Sequence, residues 1–258
     1  MITLTSDFGL KDSYVAEMKG VILTLNPNAK IIDVTHGVEK FDIRMGAFIL
    51  ASAVPYFPKG TVHLAVVDPG VGTERHPILV QTKQGFFVGP DNGVLMLAAE
   101  NQGIKKVYEL SNPKFVLPKV SATFHGRDIF APVAAYLDMG VKPAEFGPEV
   151  AIRIMPEFAR IKKGDGYLTG EILHIDGYGN IITNISQKEI MAQAKAVNIR
   201  LRNISLNIDF GITYAQTKPG EAIALIGSHG FLEIALNQAS AAEKFSATVG
   251  EKIEVTSA

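Results

Sequence analysis

Residues 61–75 read TVHLAVVDPGVGTER: a stretch rich in apolar and β-branched residues, then a Pro-Gly turn bracketed by Asp68 and Arg75. A strand that is apolar on both faces belongs inside a parallel sheet covered by helices, because a half-exposed antiparallel strand alternates. Outward from this run the same grammar recurs. Residues 2–5 and 30–34 read as strands, and between them Tyr14, Val15, Met18, Val21, Ile22 and Leu25 return at three- and four-residue spacing, one stripe of a helix. Asp12 and Ser13 are N-cap candidates for that helix, and Asn26-Pro27 ends it. A second helix is expected over 42–54, further strands around 78–81 and 86–88, and helices near 94–99 and 129–137. The spacing predicts an α/β domain, a sheet flanked by helices.

The pattern changes near Pro156, where ARIKKGDG (159–166) is basic and glycine-containing. The expected domains are therefore an N-terminal α/β domain over 1–156 and a smaller C-terminal domain over 164–258. Short strands are expected in the second half at 167–175, 180–185, 198–201, 204–208, 222–226, 231–236 and 252–255. Turn residues at Gly177, Gly179, Asn203, Gly220, Gly230 and Gly250 separate them, which predicts a mostly antiparallel barrel or sandwich.

Composition narrows the functional classes. Lys+Arg 25 against Asp+Glu 26 leaves a formal net charge of −1, so no general field favours nucleic acid or an anionic bilayer. The absence of cysteine excludes disulfides, thiolate nucleophiles and sulfur-based zinc sites. Apolar runs such as 47–54 fall well short of the roughly 20 residues that span a bilayer. With no basic segment leading into an apolar core at the N-terminus, no signal peptide is expected, and a cytoplasmic location follows.

Ligands of open α/β sheets sit at strand ends, so the polar residues that follow apolar runs carry the functional question. Four such places occur: Ser6-Asp7-Phe8-Gly9 with Asp12 beyond it, the Asp68 to Arg75 turn, Gly89-Pro90-Asp91-Asn92-Gly93, and Thr123-Phe124-His125-Gly126-Arg127-Asp128. Asp7 can hold both hydroxyls of a ribose or simply cap a turn. The 68–75 turn lacks the third glycine of a dinucleotide fingerprint, which leaves a tight turn, a solvated ion pair or a water-handling pair. His125 stands alone as a structural hydrogen-bonder or an acid-base group. No metal site is expected, since HExxH and closely spaced histidines are both absent. Asp176-Gly177-Tyr178-Gly179-Asn180 and Gly227-Ser228-His229-Gly230-Phe231 read most simply as hairpin turns.

Taken in order, TSDFGLKDSYVAEMKG, VVDPGVGTER, GPDNG, TFHGRDIFAP, IDGYGNIITNI and GSHGFLEIALN resemble one family, the S-adenosyl-L-methionine hydroxide adenosyltransferases, relatives of the fluorinating and chlorinating adenosyl enzymes. The resemblance runs from the first strand to the last. It implies an N-terminal α/β domain, a C-terminal β-barrel and a homotrimer whose sites lie between the N-terminal domain of one subunit and the C-terminal domain of its neighbour. S-adenosyl-L-methionine is the implied substrate, adenosine and methionine the products, with no cofactor. Asp68, Arg75 and His125 correspond to the set that handles water. Asp7 would hold the ribose hydroxyls, Asp12 the methionine portion, Asn180 the adenine with Asp176 nearby, and Ser228 the amino-acid end.

In the fluorinating pattern tyrosines stand at the positions of Asp68 and His125, and a serine at Gly126. A carboxylate at Asp68 would repel a halide by several kcal/mol in a poorly screened pocket, which favours water as nucleophile. Gly126 does match the chloride-using pattern. Tyr14 and His229 depart from the serine and arginine of the fluorinating pattern, which bears on contacts to the methionine end. A halide-dependent transferase and a non-catalytic adenosine-binding protein are the rival classes.

Overall fold

A computed structural model describes residues 1–151, 154–190 and 196–257, which fall into two units, Met1–Pro156 and Glu157–Ala258. The first contains β1 (Ile2–Ser6), α1 (Tyr14–Leu25), β2 (Ile31–Thr35), α2 (Ile43–Ala53), β3 (Val62–Val66), β4 (Pro77–Thr82), β5 (Phe86–Pro90), α3 (Met96–Asn101), β6 (Ile104–Glu109) and α4 (Ala131–Asp138). Its sheet runs β2-β1-β3-β5-β4-β6. The pairs β1–β2, β1–β3 and β3–β5 are parallel, whereas β4 lies antiparallel between β5 and β6.

Burial explains the order. All residues of β1 and β3 are buried, threonines and serine included, as central strands covered by helices on both faces must be. Ile2, Leu4, Val62 and Leu64 pack with Met18 and Ile22 of α1 and with Phe130, Val133 and Ala134 at α4. Each fully buried large aliphatic side chain contributes about 1.5–3 kcal/mol. The chain leaves β1 toward β2, then crosses back past β1 to β3, so right-handed connections put α1 and α2 on opposite faces. Asp42 caps α2 by accepting the Met45 amide at 2.9 Å.

Two local expectations need correction. Ser13 occupies the N-cap position of α1, but its hydroxyl donates to Glu17 Oε1 at 2.6 Å instead of capping. β6 was not foreseen, because IKKVYE carries exposed lysines and looks like a connection until β4 offers it an edge. His63 is a core histidine: Thr3 Oγ1 lies 2.9 Å from its Nδ1, and burial pushes its pKa down to about 4, so it is neutral.

The second unit contains β7 (Lys162–Lys163), β8 (Tyr167–Ile175), β9 (Ile181–Ser186), β10 (Ala196–Leu201), β11 (Ile204–Gly211), β12 (Ala222–Ile226), β13 (Phe231–Leu236), α5 (Ala241–Phe245) and β14 (Lys252–Ser257). The order β14-β10-β11-β12-β13-β9-β8 closes on itself through β14–β8, a seven-strand barrel. Its interior is aliphatic, built on Ile172, Ile181, Ile199, Leu232 and Ile253. The barrel is mostly antiparallel, as expected, with one parallel pairing: β11 and β12 at Phe210↔Ala224 and Gly211↔Leu225. The turn-rich 212–221 segment permits this by carrying the chain back along the barrel before β12 begins. Among the described residues no helix is long and apolar enough to cross a membrane.

Candidate active site

The reversal of strand order at β1 opens a crevice at the carboxyl ends of β1 and β3, where open α/β sheets hold ligands. The two strands run in register, Ser6 beside Val66, so Asp7 and Asp68 emerge from neighbouring strand ends. Between them lies a cavity of about 620 Å³. Phe8, Tyr14 and Phe124 form its aromatic wall, with ring centroids 5.2–5.7 Å apart.

Asp68 and Arg75 form a buried ion pair, their side chains only 5% and 9% exposed. Arg75 Nε donates to Asp68 Oδ1 and Oδ2 at 3.0 Å each, and Nη2 bonds Asp68 Oδ2 as well. The same Nη2 lies 2.9 Å from His125 Nδ1. A guanidinium has no acceptor, so Nδ1 must accept, and the neutral ring then carries its proton on Nε2. Burial, reinforced by the positive charge of Arg75, holds the His125 pKa below its usual value. Arg75 does not line the cavity but lies behind the other two residues. Its Nη1 has no hydrogen-bond partner among the described residues, and its Cζ lies 5.3 Å from the centre of the Phe130 ring. The arrangement presents a carboxylate acceptor and an imidazole N–H donor at fixed separation, a set suited to polarising water.

Local structure aims these groups. Gly72 has φ +77°, and an added Cβ would lie 2.2 Å from the Ala122 carbonyl oxygen, so only glycine lets the 68–75 loop lie against the segment carrying His125. His125 precedes a single π turn, Gly126–Phe130, that leads into α4. Fully buried Asp128 anchors this turn, accepting from Arg127 Nε at 2.6 Å, Arg127 Nη2 at 3.1 Å and the Ser121 amide at 2.8 Å. Burial alone would raise the Asp128 pKa; these bonds outweigh it and lower it.

Asp7 is buried, and its Oδ2 accepts the Phe41 amide at 2.9 Å while its backbone carbonyl accepts from Lys40 Nζ. Ser6 beneath it bonds His36 Nδ1 at 2.7 Å. Asp12 is exposed and outside the cavity wall.

The barrel carries a cavity of its own, about 640 Å³, lined by Asp176, Tyr178, Asn180, Tyr214 and Asn237 among others. Asp176 Oδ1 accepts the amides of Tyr178 and Asn180, and Oδ2 accepts Asn180 Nδ2, all at 2.9 Å. Asp176 thus braces the β8–β9 hairpin and fixes the Asn180 amide. Ser228 is exposed in the β12–β13 hairpin, outside this cavity wall. His229 Nδ1 accepts the Phe231 amide at 3.2 Å, so its Nε2 donates to Glu233 at 3.1 Å. Glu233 also accepts from the Tyr214 hydroxyl at 2.8 Å; burial and this carboxylate push the Tyr214 pKa up to about 12.

Residues 2–147 match the SAM hydroxide adenosyltransferase N-terminal domain, and residues 170–254 match the corresponding C-terminal domain. The chain belongs to the SAM hydroxide adenosyltransferase family. An (R)-S-adenosyl-L-methionine hydrolase of Salinispora tropica is 40% identical to it over 99% of this chain and 97% of its own. A fluorinase of Actinoplanes sp. is 28% identical over 100% and 98%. An uncharacterized conserved protein from Thermotoga maritima has a crystal structure that superposes with a TM-score of 0.88 at 38% identity, over 99% of this chain and 100% of that one.

In this SAM hydroxide adenosyltransferase chain the structure draws together Asp68, Arg75 and His125, with Asp7 on the same cavity, and separately Asp176 with Asn180. Sequence reasoning missed Lys40 and Phe41, which hold Asp7. Phe41 has φ +66°, uncommon for a bulky residue, and no sequence signal marks it. Glu17, hidden in a helix, pairs at 2.8 Å on the cavity rim with Arg127 of the 123–128 stretch, a partnership that spacing does not mark. Among the described residues no cluster of three or more His, Asp or Glu is arranged to hold a metal ion.

Proposed function

We propose that this chain hydrolyses S-adenosyl-L-methionine, in the (R) sulfonium form named for its relatives, to adenosine and L-methionine. The observation that carries this reading is the Arg75 guanidinium bonded to both Asp68 and His125 beside the cavity that holds Asp7. The leaving group is a neutral thioether departing from a sulfonium, so no general acid is needed and catalysis acts on water. The water oxygen attacks ribose C5′, the C5′–S bond breaks with its electron pair passing to sulfur, and a water proton passes to Asp68. His125 Nε2–H donates to the attacking oxygen and favours its hydroxide character. Arg75 acts through both by fixing their separation and the histidine tautomer. Asp7 holds the ribose hydroxyls, Asn180, braced by Asp176, reads the adenine, and Asp12 and Ser228 serve the methionine portion.

Turnover in 18O-labelled water tests the reaction. One heavy oxygen is expected in the 5′-hydroxyl of the adenosine formed, with no 5′-chlorinated product when chloride is added. Adenosine free of solvent oxygen would overturn the reading.

The His125 geometry sets the pH dependence. Protonation would turn Nδ1 from acceptor to donor against Arg75, so activity needs the neutral ring, present above its lowered pKa. The acid limb of kcat/KM is expected below pH 6.5, the usual histidine value. In His125→Asn, whose amide can still accept from Arg75 and donate outward, the histidine limb should vanish from the profile. A limb above 6.5, or one unchanged in the variant, counts against the role.

We also propose that the protein acts in the cytoplasm as a homotrimer, one substrate shared by neighbouring copies. Phe41 and Tyr178, 68% and 84% exposed beside the two cavities, are the kind of aromatic surface such an association covers. Light scattering should give three times the 27.8 kDa chain mass; a monomer would refute it.

A further inference from the structure

The Gly89–Gly93 turn, prominent in the sequence, touches no part of the reaction described above. We propose that Asn92 in this turn is a positioning residue for Asp68, an inference that rests on the reading of Asp68 as the group that takes the water proton. The parallel ladder between β3 and β5 runs from Val62↔Phe86 to Leu64↔Val88 and goes no further. The end of β3, which delivers Asp68, therefore lacks ladder bonds on the β5 side. Asn92 supplies the missing tie. Its Nδ2 donates to the carbonyl of Val67, the residue before Asp68, at 2.8 Å, and its Oδ1 accepts the Val94 amide at 3.1 Å, which fixes the amide's orientation.

The same turn also holds the far end of the catalytic loop. The Asp91 amide donates to the carbonyl of His76, the residue after Arg75, at 2.9 Å, and β4 continues from there in register with β5 through Pro77↔Pro90 and Ile78↔Gly89. One turn thus grips both ends of the segment from Asp68 to Arg75. The Asp91 grip is backbone and insensitive to side-chain identity; the Asn92 grip is a side chain and can be removed. With it gone, the strand end can shift and carry Asp68 out of line with the reacting carbon.

Steady-state kinetics of Asn92→Ala and Asn92→Asp in the full chain, each in the wild-type and Asp68→Asn backgrounds, test this. Asn92→Asp keeps an acceptor for the Val94 amide and turns a carboxylate oxygen toward the Val67 carbonyl, so it breaks the bond at issue while retaining the turn's side chain if the alanine variant folds poorly. Expected is a roughly 10- to 100-fold fall in kcat with KM within about twofold, and no further fall in the residual rate when Asp68 is already Asn. Unchanged kcat in Asn92→Asp, an equal loss in both backgrounds, or a KM that rises in step would overturn the positioning role. Should Asp68→Asn itself keep wild-type turnover, the catalytic reading fails; should it be impaired while Asn92→Asp is fully active, this inference alone fails.

Discussion

Arg75→Ala is expected to lower kcat by roughly three orders of magnitude, the range seen when an acid-base group or an oxyanion donor is removed. The change strips Asp68 of its three guanidinium bonds and His125 Nδ1 of its donor, so acceptor and donor lose their common anchor at once. It also leaves a carboxylate side chain only 5% exposed without its cation, which costs about 3–5 kcal/mol of stability. Activity must therefore be read at a temperature where circular dichroism shows the variant folded. Arg75→Lys separates charge from geometry. An ammonium keeps the charge but cannot fork to two partners as Nε and Nη2 do, so it should still lose about 100-fold. Full activity in Arg75→Lys would mean that a point charge suffices and that the fork is incidental.

Asp7→Ala is expected to act on binding, lowering kcat/KM by about 100-fold, mostly through KM. Charge-assisted hydrogen bonds contribute about 1.5–3 kcal/mol each, and a carboxylate holding two ribose hydroxyls makes two that are not fully additive. Asp7 also accepts the Phe41 amide, so its loss releases the strained φ +66° at Phe41 and loosens one wall of the cavity. Asp7→Asn, which keeps an acceptor for that amide, should fall between the two. Inhibition by adenosine gives an independent check: its inhibition constant should rise in parallel with KM. A variant that loses kcat with adenosine inhibition unchanged would place Asp7 in the chemistry and not in ribose recognition.

Much of the scaffold was legible in the sequence because the periodicities are clean where burial is complete. The run at 62–66 could only be a central strand, and Met18 and Ile22 mark the buried stripe of α1. β6 was illegible because its lysines suit an edge, and edge strands are defined by a partner that sequence does not display. The parallel β11–β12 pairing was illegible for the same reason. At the cavity, Asp7 and Asp68 stand out as polar residues after apolar runs, and His125 as a lone histidine in the stretch before the last helix. The backing of Arg75 behind Asp68 and His125, the bracing of Asn180 by Asp176 and the grip of Phe41 on Asp7 are distances between segments, which spacing along the chain does not encode.

The closure of the barrel by β14 has a consequence for how the protein behaves at high concentration. β14 pairs with β8 as well as with β10, and the strand left outside the ring, β7, is two residues long, Lys162 and Lys163. A rim of two residues is too brief to template a foreign strand, and Lys162 adds a charge against an identical rim. The closing β14–β8 ladder thus removes the two long edges that an open sheet of the same strands would expose to edge-to-edge fibre growth.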